Sequence, residues 1–250
     1  LRYSGGMFRS NPTDFILAPL SNVLSEAIEA MVVVNEGMYG YQLADWVMPT
    51  VFLRMTGAQE QKLKCICWDF WTLDLEWRNQ RYGKKIAEMS CYDEKNHLCR
   101  DLIQYLLRNK RGFDPVADID REGLIQDAYQ DMTSICRDSL LKNWFSDSFK
   151  VFEEVVPTFR KEYFVVWNTQ KNTYKELFLE ELYDAYEALY YHRNRCAHNS
   201  TSFQTNLPKF EVLSGSNAAY ENYFVRFYLL VLLDKLFVQL YKWMIELTDF

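Results

Sequence analysis

The stretch that most constrains this chain is a helix with almost no side left for water. Across residues 65–77 most side chains are apolar or aromatic, and Asp69, Thr72 and Glu76 fall in one helical row. A helix with so narrow a polar strip buries most of its circumference, so other helices must surround it. Trp68, Trp71 and Trp77 lie on it. Core packing is their expected role, and a base-stacking platform is the alternative.

Punctuation agrees with a helical chain. Only 9 Gly and 6 Pro interrupt 250 residues, while 49 % are hydrophobic and 16 % aromatic. Long helices follow from this, and a strand-and-turn protein does not. The fold class is therefore all-α. The formal net charge of −6 argues against wholesale coating of nucleic acid, though not against one local anion site. Cys65, Cys67, Cys91, Cys99, Cys136 and Cys196 form no paired Cys-x-x-Cys motif, so neither a disulfide framework nor a zinc site is expected. Reduced thiols fit a cytoplasmic protein. No signal peptide is visible, and the apolar run 227–233 is stopped by Asp234 and Lys235, too soon to span a membrane.

In order, a first helix is expected over 12–34, closing at Asn35-Glu36-Gly37. A second is expected over 42–55, kinked or split by Pro49. Thr56-Gly57-Ala58-Gln59 reads as a capping box that opens a third helix over 58–81, and Gly83 breaks the pattern. The next helix covers 92–109 with Leu98, Leu102, Tyr105 and Leu106 inward. Its basic end, Arg108 to Gly112, is ordinary termination chemistry. Residues 113–122 carry Asp114, Asp118, Asp120 and Glu122 without calcium-loop spacing. They are the best internal boundary, dividing an N-terminal helical region (1–112) from a core (113–250), unless 1–250 is one continuous domain. Helix is expected over 124–156, a short aromatic helix over 159–167, and a long helix over 173–197. A polar loop from Ser200 to Pro208 and a turn at Gly215-Ser216-Asn217 lead to a last helix over 220–247. That helix carries core-type Phe224, Phe227, Tyr228, Val231, Leu232 and Phe237.

The chemistry concentrates in residues 190–200, Tyr-Tyr-His-Arg-Asn-Arg-Cys-Ala-His-Asn-Ser. No acid occurs between Glu187 and Glu211. Leu182, Tyr186 and Leu189 follow helical spacing onto Arg193, and Tyr183, Tyr186 and Tyr190 lead to Asn194. A charged head on an inward face needs a partner or a wet cleft. Periodicity alone leaves two readings open: Arg193 lines such a cleft, or the helix frays at Tyr191 and Arg193 is solvated.

Arg193-Asn194-Arg195-Cys196-Ala197-His198 resembles the signature of the HEPN superfamily, an Arg followed after four to six residues by His, often with a polar residue directly after the Arg. The resemblance covers this motif and its setting at the end of one long helix with another after it. It implies a HEPN-like helical bundle, here elaborated with additional N-terminal helices, frequently dimeric, and in many members a metal-independent endoribonuclease. Such enzymes serve prokaryotic toxin–antitoxin, abortive-infection and antiviral systems. Carried over, Arg193 and His198 are catalytic with Asn194 in support, and His192, Arg195 and Asn199 are candidate RNA phosphate ligands. No cofactor or metal is implied. RNA, a second copy of the chain, and an antitoxin or regulatory protein are the implied partners.

The residue types suit that chemistry. Metal-free RNA cleavage uses the ribose 2′-hydroxyl as nucleophile. A His with an unperturbed pKa of about 6.5 moves protons near neutrality, and an Arg fork stabilises charge on a phosphorane-like transition state. Arg193 and His198 stand about 140° apart around a regular helix, so a second copy is expected to complete the site. Asn194 and His198 share a face, which would let the amide orient the imidazole. Cys196 is expected as a small buried thiol and His97 as incidental. Two other functions remain open: a non-catalytic nucleotide- or RNA-binding member, and a helical interaction module in which Arg193 is structural.

Overall fold

The computed structural model describes residues 12–32, 38–74, 76, 78, 89–168, 170–198 and 219–247, with the backbone alone at 32, 38–45 and 198. The expected breaks at 35–37 and Gly83, the polar loop from 200, the turn at 215–217 and Trp77 lie outside the described residues.

The fold is overwhelmingly helical. Its axis is α10 (Tyr223–Glu246), in which Phe224, Phe227, Tyr228, Val231, Leu232 and Phe237 are all buried, as their spacing predicts. Around it pack α3 (Met38–Leu73), α4 (Tyr92–Asn109), α6 (Arg121–Cys136), α8 (Ser146–Val155) and α9 (Glu180–His198). Each large apolar side chain taken fully out of water contributes about 1.5–3 kcal/mol, and α10 contributes them on every side. Asn222 starts this helix, its Oδ1 accepting from Phe224 N at 2.9 Å. One core cluster runs from Ile16 to Met244, across the 112/113 boundary.

The first helix is two. Pro19 has no N–H to give a helix interior, and the chain breaks between α1 (Pro12–Leu17) and α2 (Ser21–Val32). The break is pinned from both sides: Lys62 Nζ donates to Ala18 O, Leu20 N donates to Asp234 Oδ2 at 2.8 Å, and Lys62 meets Asp234 at 2.7 Å.

The expected second and third helices are one. α3 runs unbroken through Pro49 and through Thr56-Gly57 to Leu73. Thr56 is no cap: its Oγ1 donates back to Leu53 O, and Gln59 Nε2 reaches across to Leu230 O on α10 at 2.9 Å. Packing against α10 thus overrides the local start signal. Trp68 stands 61 % exposed, against the expected core role, while Trp71 is half-buried beside it.

α4 matches its expected span and inward residues. The acids at 114–120 serve as caps: Asp114 holds Val116 N on α5 (Pro115–Asp118), and Asp120 holds Gly123 N on α6. The long helix expected over 124–156 divides into α6, α7 (Leu140–Trp144) and α8, with Ser139 accepting from Lys142 N where α7 begins.

Of the aromatic helix expected over 159–167, only Lys161–Tyr163 forms a 3-10 turn, and the chain then becomes a strand. β1 (Phe164–Asn168) pairs antiparallel with β2 (Thr173–Phe178), Phe164 opposite Phe178. Asn168 Oδ1 accepts from Gln170 N and Lys171 N to turn the ribbon. The ribbon docks on α4. Asn96 Oδ1 accepts from Tyr174 OH and Leu177 N, and Tyr92 OH both donates to Phe178 O and accepts from Phe178 N. α9 consequently starts at Glu180 instead of 173.

Candidate functional site

α9 remains helical through Arg193 to His198, so the helix does not fray at Tyr191. Arg193 is paired and only partly exposed. Its Nη2 lies 3.1 and 3.3 Å from the two carboxylate oxygens of Glu60 on α3, and its Nη1 donates to Asn194 Oδ1 at 3.3 Å. The Arg193 side chain keeps 25 % of its surface exposed and Glu60 keeps 14 %. A carboxylate fork and an amide therefore fix the guanidinium plane while one side meets solvent.

Lys95 on α4 completes this corner. It is buried, and its Nζ donates to Met89 O at 2.8 Å and Ser90 O at 3.2 Å while sitting 5.6 Å from the Tyr186 ring centre. Burial pulls its pKa down to about 8; Glu60 supports the charge and Arg193 opposes it. Lys95, Glu60 and Arg193 line a cavity of about 10 Å³, enough for one water and too small for a phosphate group. An anion on Arg193 would have to sit on its outer face.

His192 and Arg195 belong to a second cluster, turned toward the core. His192 Nε2 lies 2.9 Å from Tyr223 OH and 3.4 Å from Cys196 Sγ, and its Nδ1 lies 3.1 Å from Arg195 Nη2. Phe52 and Tyr223 pack against the imidazole. Desolvation first, then Arg226 and Arg195, drive its pKa down to about 2, so the ring is neutral at physiological pH. Arg195 pairs with Glu221 at 2.8 Å, and Arg226 pairs with the same carboxylate. Cys196 is buried, and burial raises its thiol pKa, which suits a packing role.

The two clusters share a charge pattern. Glu60 serves Arg193 and Lys95, and Glu221 serves Arg195 and Arg226. Each carboxylate faces two cations. His198 closes α9, but its side chain lies outside the described residues, as does Asn199. Among the described residues no group of three or more His, Cys, Asp or Glu is placed to hold a metal ion, and no helix is long and apolar enough to cross a membrane. His97 is exposed, and all six cysteines are free.

Sequence reasoning missed Lys95, Glu60, Glu221 and Arg226. Lys95 was legible in principle, since it sits three residues before Leu98 on the inward row of α4. Arg226 was too, as the lone cation in an otherwise apolar run. Glu60 carried no local signal, because its partner lies 133 positions away. Comparison of the chain with protein-family models, with curated proteins and with solved structures returned no match.

Proposed function

We propose that the chain is a metal-independent endoribonuclease of HEPN type, with Arg193, Asn194 and His198 as its reacting constellation. The observation that carries this reading is the cation excess at the tail of α9: two basic side chains for each carboxylate, on a protein of formal charge −6. Arg193, oriented by Glu60 and Asn194, presents one face of its fork to an incoming phosphate. His198 moves the proton of the attacking 2′-hydroxyl or of the leaving oxygen. A second copy of the chain completes the pocket, because Arg193 and His198 stand about 140° apart on one helix. Single-stranded or loop RNA is the substrate, since an A-form stack resists in-line alignment of the 2′-hydroxyl.

Purified protein is expected to cleave a panel of cellular RNAs in EDTA, leaving 2′,3′-cyclic phosphate ends. Arg193→Ala and His198→Ala are expected to remain folded and to lose cleavage. Retained cutting in both variants would move the site elsewhere.

One observation favours a second reading. The Arg193–Glu60 contact joins α9 to α3 inside the bundle, as a structural pair in a helical interaction module would. Under that reading Arg193→Ala lowers stability, and the wild-type protein leaves the RNA panel intact.

A further inference from the structure

A second concavity adjoins the Arg193 corner along α9, sharing Tyr186 and Tyr190 with it. Tyr92 from α4, with Tyr183, Tyr186, Tyr190 and Tyr191 from α9, lines a cavity of about 190 Å³, the room of a small organic molecule. The walls are fixed. Tyr92 and Tyr183 meet edge-to-face at 5.0 Å and 90°, and Tyr92 and Tyr186 lie 5.5 Å apart. Tyr92 is further held by its two hydrogen bonds to the Phe178 backbone. Burial, then the Glu187 and Asp93 charges, push the Tyr183 hydroxyl up, so this phenol stays neutral and its ring keeps its electron-rich face.

The same cavity is lined by Asp93 and Glu187, one from each helix. Both are exposed, and neither has a hydrogen bond or ion pair among the described residues. The tyrosine rings, of which Tyr186 already faces Lys95, and two carboxylates without a partner among the described residues form a surface that attracts cations and repels phosphate. The lining is thus opposite in sign to the Arg193 corner, although Tyr186 and Tyr190 border both cavities.

We propose that this tyrosine-lined cavity binds a small organic cation, a free alkylammonium compound such as a quaternary amine or a short diamine. The rings supply cation–π attraction, and Asp93 and Glu187 supply the counter-charge. This assignment does not depend on the ribonuclease reading.

The test is isothermal titration of the full chain at low salt with choline, with putrescine, and with 3,3-dimethyl-1-butanol, the uncharged isostere of choline. At least one of the two cations is expected to bind at least about tenfold more tightly than the uncharged alcohol. Asp93→Asn combined with Glu187→Gln is expected to remove that preference, with circular dichroism unchanged because both side chains are exposed. Should the double variant unfold, Glu187→Gln alone is expected to weaken binding several-fold. Binding of the alcohol as tight as that of the cations, absence of binding by both cations at 10 mM, or an unchanged preference in the folded variants would each overturn the proposal.

Discussion

Lys62 on α3 and Asp234 on α10 meet at 2.7 Å inside the bundle, and the same two side chains hold the backbone on either side of Pro19. The two side chains keep only 5 % and 8 % of their surface exposed, and that burial raises the Asp234 pKa even with Lys62 beside it. Removing one partner of a buried pair strands the other charge. Asp234→Ala is expected to cost about 3–5 kcal/mol by urea unfolding. The double replacement Lys62→Met with Asp234→Leu is expected to cost less than that single change. A single-variant cost below about 1 kcal/mol would show that the pair does not pin the break at Pro19.

Lys95 gives a signed pH dependence. Its folded pKa of about 8 lies below the ordinary lysine value of 10.5, so between these values the unfolded chain holds a proton that the folded chain has lost. Stability therefore rises with pH across that window, and the full cost of burying the charge applies below it. Wild-type protein is expected to gain about 3 kcal/mol relative to Lys95→Met between pH 7.5 and pH 10.5. Parallel stability profiles for the two proteins would contradict the buried ammonium.

His192 acts at the other end of the scale. Its folded pKa is depressed to about 2 from 6.5, so as pH falls below about 6.5 the unfolded state takes up a proton that the folded state refuses. Wild-type stability is expected to fall by about 1.4 kcal/mol for each pH unit below 6, and His192→Asn is expected to flatten that slope. Chemical denaturation at pH 4, 5 and 6 measures it. An equal slope in the variant would place the acid sensitivity elsewhere.

Glu60→Gln separates the two roles open to Arg193. With the carboxylate neutralised, Arg193 and Lys95 face no compensating charge among the residues lining their corner. If the corner serves RNA, single-stranded RNA is expected to bind about tenfold more tightly at low salt, and the gain is expected to shrink as salt rises. Unchanged RNA affinity together with a loss of about 2 kcal/mol of stability is the result expected of a purely structural pair.

Legibility in the sequence followed burial. Leu98, Leu102 and Phe224 announced their helices because one apolar face repeated at helical spacing, and packing kept that face. The signals that failed were local ones outvoted by distant partners. Thr56 looked like a cap, but Gln59 reaching Leu230 holds α3 straight through it. Residues 164–168 carried aromatic bulk without alternation, and the strand exists because β2 and α4 bond its partners. Pro19 was a local signal passed over in expecting one helix across 12–34, and the chain breaks there. At the site, the inward lean of Arg193 was readable from its stripe, whereas Glu60 became its partner only through the packing of α3 on α9.

The attachment of the β-ribbon to α4 has one more consequence. A two-stranded ribbon ordinarily offers unspent main-chain groups to any passing extended chain. Here the Leu177 N–H is already committed to an asparagine amide, and both main-chain groups of Phe178 to a tyrosine phenol. A foreign strand recruited at that margin would first have to evict two side chains seated on a helix, so the ribbon is also guarded against amyloid-like extension where it joins the bundle.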